Sequence, residues 1–194
     1  MSYSVIAIWV STFLFAIQHS VLSSRTCKNK CYSLGISPRA YRLVYVILAI
    51  AITSVWLGFI HSLPDQVLYE IHGAWRWCLV GVQLAGIWVF IRALRPIDVP
   101  AFLGLRAFED QIEPFIEAGI YRYIRHPMYS GILLIFIAMP EQSINSLNFY
   151  ACVTLYFIIG SRLEERRMIA DHPEYKDYRK RVPAFIPRLF VPNR

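Results

Sequence analysis

Charge is scarce in this sequence, and the scarcity is concentrated. No Asp, Glu, Lys or Arg occurs from Met1 to Ser24, from Leu43 to Pro64 or from Trp77 to Ile91, and Met128 to Ser161 holds only Glu141. Charged residues make up 17% of the chain and hydrophobic ones 56%, against about 25% and roughly 45–50% in soluble domains. A helix needs about 20 apolar residues to cross a bilayer core, with about 17 as the short limit. The first two stretches qualify outright, and the third does so when Arg92 snorkels and Ala93 and Leu94 join the helix. Other absences exclude whole functions. The four cysteines offer one Cys-x3-Cys pair, Cys27 and Cys31, with no second pair and no nearby His to complete a zinc site, so no metal is expected. There is no Gly-rich phosphate loop, no internal repeat and no low-complexity tract. Nothing resembles a base-reading module, so lipid headgroups rather than nucleic acid account for the net charge of +7.

The fold class expected is all-α: a polytopic integral membrane protein of about five transmembrane helices, read as one domain over 1–194. Residues 1–91 carry the three-span N-terminal part, whose last helix ends near 94, and 95–194 the polar motifs. The first stretch has no basic n-region and is expected to be a retained span rather than a leader. Trp9, Trp56, Trp75 and Trp77 fall near span ends, as interfacial aromatics do. Met128 to Pro140 is too short to cross alone, at about 20 Å of helix. The sequence breaks at Pro140-Glu141-Gln142 and resumes at Ser146 to Gly160. Two short tilted helices in a hairpin are expected; one crossing plus an interfacial segment is the alternative. Charge decides between them. With five crossings, 19 of the 20 basic residues share a face and only Arg76 lies opposite. The positive-inside rule then places the N-terminus outside and the C-terminal segment in the cytoplasm.

Two polar clusters flank the hairpin. In the first, Gly119 to Gly131, Pro127 suits the first turn of a helix and His126 its cap position. The helix N-terminus would attract an anion such as a ligand carboxylate. The plainer reading is an interfacial helix start, with Arg122 and Arg125 on headgroups. In the second, Glu164-Glu165 follows the last span. Carboxylates there oppose the helix dipole and call for a positive partner, either Arg166 and Arg167 or a cationic ligand. If the two helices pack directly, the clusters meet about 10 Å apart. An anion-attracting end, an acidic end and a lipid-facing wall would suit a zwitterionic cofactor serving a lipid-like substrate. His19 reads as a packed histidine, Gln18 and Gln83 as interhelical bonds, and Glu109, Asp110, Glu113 and Glu117 as a solvated acidic face.

The run Gly119-x-Tyr121-x-x-x-Arg125-His126-Pro127-x-Tyr129-x-Gly131 resembles the signature of isoprenylcysteine carboxyl methyltransferases and their prokaryotic relatives. So does the tail of Glu164-Glu165, Tyr175, Tyr178, Arg181-Val182-Pro183 and Ile186-Pro187. The resemblance covers about residues 92–194. It implies S-adenosyl-L-methionine as methyl donor, S-adenosyl-L-homocysteine as product, and a lipophilic or prenylated acceptor arriving from the bilayer. Carried over by position, Arg125, His126, Pro127, Met128 and Tyr129 would line the cofactor site. Tyr121 and Glu113-Pro114-Phe115-Ile116 would close it, and Glu164 or Glu165 would contact the cofactor. Arg162 would orient the acceptor, with Glu165 beside it in the catalytic set. A prenylcysteine-like carboxylate is the acceptor that the family implies. Being ionised at pH 7, it needs no general base, so positioning and exclusion of water would dominate. A thiol or a phospholipid amine would need deprotonation, by Tyr121 or a glutamate. A membrane reductase and a small transporter are the remaining alternatives.

Overall fold

The computed structural model describes residues 2–106 and 114–188, which are mostly helical. The helices are α1 (Ser2–Ser23), α2 (Arg25–Ser33), α3 (Pro38–Ser62), α4 (Ala74–Leu94), α5 (Val99–Phe102), α6 (Pro127–Ile137), α7 (Ile144–Asp171) and α8 (Tyr175–Arg181). Four of them, α1, α3, α4 and α7, are long and apolar enough to cross a membrane, and α6 is a shorter apolar helix. Their 22, 25, 21 and 28 residues give roughly 31–42 Å of helix. Their apolar faces point outward: Phe13, Val55, Trp77 and Leu147 are 65, 73, 73 and 53% exposed. Continuous apolar surface on that scale is stable only against lipid, and the protein is polytopic in the membrane.

Local chemistry sets the helix starts. Ser24 and Ser37 accept from the amides of Cys27 and Ala40, capping α2 and α3, and Pro38 opens α3. Asp98 caps α5 through Ala101 N–H, and an ion pair with Arg106 holds its carboxyl below the usual range.

The chain divides into two compact units, and α7 contributes to both. In the first (residues 2–70, 98–106 and 141–156) Ile8, Leu63 and Cys152 form a small core. Its polar groups are bonded locally: Ser4 to Pro64 C=O, Trp9 to Asn148, and His19 Nε2 to Tyr45 Oη at 2.7 Å. His19 is therefore a packed histidine. Trp56 lies half-buried, stacks on Phe15 at 4.5 Å, and donates its N–H to Ser11. The unit also holds two short strands absent from the sequence-based expectation, β1 (Val67–Glu70) and β2 (Glu141–Ser143), paired antiparallel. They bring the α3–α4 and α6–α7 connections together. Pro140 thus leads into a strand rather than a bare turn.

In the second unit (residues 71–97, 114–140 and 157–188) α4 and α6 run antiparallel at very close range. A Cβ on Gly86 would lie 2.7 Å from Gly131 C=O, and one on Gly131 would lie 2.7 Å from Gly86 C=O. Only glycines at both positions let the backbones meet, and Gln83 Nε2 reaches Met139 Sδ beside them. The closest backbone approach of α6 is therefore to α4, and its side chains also meet α7. The hairpin arms are also unequal. α6 spans 11 residues, whereas α7 continues for 28, to Asp171. Glu164-Glu165 therefore lies inside a helix and not at its end, so the dipole argument does not apply to it.

Candidate active site

Tyr121 lies in a 3-10 turn, Gly119–Arg122, that leads into α6. His126 is the N-cap of α6 and Pro127 its first residue. Pro127 takes a first-turn place where a missing N–H loses no helix bond, and the first intrahelical bond runs from Ser130 N–H to His126 C=O. The first-turn amides of Met128 and Tyr129 precede it and have no carbonyl within the helix.

Glu165, 8% exposed in its side chain, anchors the site. Its Oε1 accepts from Arg125 Nε and Nη2, both at 2.7 Å, and lies 2.9 Å from His126 Nε2. Arg179 Nη1 stands 3.9 Å from Oε2. The positive partner of Glu165 is thus Arg125, from the other cluster. Arg125 is itself consumed: Nη1 donates to Arg179 C=O at 3.1 Å and to Val182 C=O. These carbonyls end α8, where Val182 leaves the helix and Pro183 follows, so the guanidinium caps a C-terminus as well as pairing a charge.

The tail is fastened along its length. Arg125 N–H donates to Pro183 C=O and His126 N–H to Ala184 C=O, at 2.9 and 3.0 Å. Ser130 Oγ donates to Phe185 C=O and Tyr178 Oη to Tyr121 C=O. Tyr175, Tyr178 and Val182 are buried against Phe115, Met168 and Ile169. Burial raises the phenols of Tyr175 and Tyr178, and burial followed by the charge of Glu164 pushes Tyr121 up to about 12. All three remain neutral at physiological pH, which removes Tyr121 as a resting general base.

Glu164 has different surroundings. Its side chain is 43% exposed, and Oε2 accepts from Tyr129 Oη at 3.1 Å. His126 Nδ1 stands 3.9 Å from the same oxygen, beyond hydrogen-bond range. His126 is therefore bonded to one glutamate through Nε2 and presents Nδ1 toward the other. A carboxylate oxygen only accepts, so Nε2 carries the proton of the Glu165 bond. Tyr129 stacks between the His126 ring at 5.5 Å and the Phe157 ring at 4.4 Å.

The structure brings Tyr121, Arg125, His126, Pro127, Tyr129, Glu164 and Glu165 into this network. Phe115 packs under the tail with its edge to Tyr175 and Tyr178, Ile116 is half-buried and Pro114 exposed. Met128 is half-buried beside Pro127. Glu113, with Glu109 and Asp110, lies outside the described residues, and Glu117 pairs with Arg181 at 2.9 Å. Arg162 is exposed and, two residues before Glu164, points about 160° away from it around α7. Phe157 was not singled out by its sequence. Its signal is its position seven residues before Glu164, which places both on one helix face.

Residues 77–174 match the family model described as phospholipid methyltransferase. Methanethiol S-methyltransferase 2 of Bradyrhizobium diazoefficiens is 32% identical over 189 residues, covering 93% of this chain and 72% of that protein. The methanethiol S-methyltransferase of Pseudomonas deceptionensis is 26% identical, covering 91% and 70%, and that of Crocosphaera subtropica 28%, covering 90% and 71%. No solved structure matches the chain. A match over half of the sequence, centred on the His126 and Glu164-Glu165 network, and a relative aligned along nearly all of it lead to one conclusion: the chain belongs to the phospholipid methyltransferase family, within the isoprenylcysteine carboxyl methyltransferase-like superfamily of membrane methyltransferases.

Proposed function

We propose that this membrane methyltransferase transfers a methyl group from S-adenosylmethionine to a small, membrane-permeant thiol. The observation that carries the reading is His126, bonded through Nε2 to the Arg125-clamped Glu165 and presenting Nδ1 toward Glu164. That is an oriented base, which a thiol acceptor needs and a carboxylate acceptor does not. The relatives' names, methanethiol S-methyltransferase, point to the same acceptor class.

The residues fit the donor. Glu164 offers a partly exposed carboxylate to its amino group, and the first-turn amides of Met128 and Tyr129 suit its carboxylate. When bound, the donor supplies a methyl group on a positively charged sulfur that departs as a neutral thioether. His126 Nδ1 accepts the thiol proton, and Glu165 balances the resulting imidazolium across the Nε2–H bond. Arg125 keeps Glu165 in place and ties it to the tail, so the base and the tail that covers it are one unit. Exclusion of water by the docked tail protects the thiolate.

A prenylcysteine carboxylate would instead be oriented by Arg162, which lies on the far side of α7 from Glu164. Labelled-methyl transfer from S-adenosylmethionine to methanethiol, a farnesylcysteine and phosphatidylethanolamine, measured side by side in lipid nanodiscs, separates the acceptors. We expect label in dimethyl sulfide, and loss of about a hundredfold or more in kcat for His126→Ala. Label only in the farnesylcysteine ester or the lipid overturns the thiol reading. Failure of S-adenosylhomocysteine to raise the unfolding temperature overturns the donor.

A further inference from the structure

α2 buries no residue, and at nine residues it is too short to persist on helix propensity alone. It carries two thiols, Cys27 and Cys31, four residues apart and so on one face of the helix. Both are free and half-buried. They lie close enough to act on each other: burial and, after it, the neighbouring Cys27 push the Cys31 thiol up. The Tyr41 hydroxyl, bonded to Leu22 C=O at 2.5 Å, also stands 3.4 Å from Cys27 Sγ. From Arg25 to Arg42 the chain holds five Lys or Arg and no Asp or Glu. Partly exposed thiols in such cationic surroundings are the ones that give thiolates.

Helix geometry selects what can join the two sulfurs. Side chains four apart on a helix have Cβ atoms about 5–6 Å apart, whereas a disulfide needs about 3.5–4.5 Å. A direct S–S bond would therefore unwind α2. A single atom between the sulfurs would not: two metal–thiolate bonds of about 2.3 Å place them about 4.6 Å apart when collinear. The atom must also be content with two ligands. Zinc takes four, and among the described residues no group of three or more His, Cys, Asp or Glu could hold a metal. Thiolates select soft cations, Cu(I) foremost. We propose that Cys27 and Cys31 bind one Cu(I) ion as a two-coordinate bis-thiolate that bridges one turn of α2. Two S–H protons leave and two Cu–S bonds form, with no change of oxidation state. The product carries one negative charge, which Arg25, Lys28 and Lys30 offset. The site rests on nothing in the methyl-transfer reading and survives its failure.

The full chain in lipid nanodiscs, with Cys78→Ser and Cys152→Ser so that only the pair remains, is titrated without oxygen. Cu(I) is supplied as its bicinchoninate complex, whose colour reports the metal removed. We expect one equivalent per chain, with two sulfur neighbours and no nitrogen or oxygen in X-ray absorption at the copper edge. Cys27→Ser and Cys31→Ser should each weaken binding by about a hundredfold or more, the advantage of a second ligand held within reach. Asn29→Cys combined with Cys31→Ser moves the second thiol to the far side of α2 and should lose as much. Excess Zn(II) should displace none of the copper. Amide exchange across Arg25–Ser33 should slow on loading, because the bridge locks a turn that no buried residue holds. Parental affinity in either serine variant or in the relocated pair overturns the proposal. So do displacement by Zn(II) and α2 amides that exchange no more slowly. Half an equivalent of metal with dimer formation overturns it as well, since the ion would then join two copies of the chain.

Discussion

Glu164 and Glu165 are neighbours in sequence, yet their surroundings assign them different work. Glu165 is buried among Arg125, His126 and Arg179, so Glu165→Gln leaves the Arg125 charge without its partner. Breaking one side of a buried pair costs about 3–5 kcal/mol, and we expect a matching fall in unfolding stability in detergent. Glu164→Gln should leave stability nearly unchanged and weaken S-adenosylhomocysteine binding, measured by calorimetry. The reverse pattern would exchange the roles of the two. The tail tyrosines give a second expectation at this scale. An ordinary phenol ionises near 10.0, and Tyr121, Tyr175 and Tyr178 are raised above that in the folded protein. A raised folded value means a stability contribution that is complete below pH 10 and is lost as pH rises toward about 12, the value reached by Tyr121. The unfolding midpoint should therefore stay flat to pH 10 with respect to these groups and then fall. Tyr178→Phe should be less stable at neutral pH by about 1 kcal/mol, the hydrogen bond to Tyr121 C=O, but should fall less steeply in alkali. Identical alkaline slopes in the two proteins would rule out Tyr178 as the titrating latch.

At the scale of elements, the antiparallel contact of α4 and α6 rests on two glycines. Adding one methyl group at Gly86 sets it against the Gly131 carbonyl, a backbone atom that cannot rotate away. We expect Gly86→Ala to cost about 1–3 kcal/mol by overpacking. Gly81→Ala, on the same helix with nothing within 4 Å, should be neutral or slightly stabilising because alanine favours the helix. Comparable losses in both would mean that the close approach carries no weight. This contact shows where the sequence stops being legible. Charge-free runs reveal that α1, α3, α4 and α7 lie in a membrane, because hydrocarbon excludes charge whatever the helix partner. They do not reveal which helices touch, because apolar residues are compatible with lipid and with protein alike. Gly131 was visible within a motif, whereas its partner Gly86 had only Gln83, one turn away, to mark an interhelical contact without naming the partner helix. The continuation of α7 to Asp171 was hidden for the opposite reason: its polar last turns read as a region after the helix. The Arg125–Glu165 bond joins residues 40 apart, and only tertiary structure brings Arg125 to Glu165.

For the whole molecule, sidedness decides what the candidate site meets. Within the second unit the antiparallel α4 and α6 place Arg95, which ends α4, and His126, which caps α6, at one end of the pair. Five of the basic residues lie from Arg25 to Arg42, five from Arg92 to Arg125, and nine from Arg162 onward. By the positive-inside rule these segments are expected on the cytoplasmic side, which would expose His126 and Glu164 to a soluble cytoplasmic donor. Single-cysteine reporters test this in cells, in a background where all four native cysteines are serine. Gln66 and Lys176 are both exposed, the first beside β1 and the second on α8. Gln66→Cys should react with a membrane-impermeant maleimide on intact cells, and Lys176→Cys only after permeabilisation. The opposite labelling would place the site outside, and a donor made in the cytoplasm would then have no direct route to Glu164.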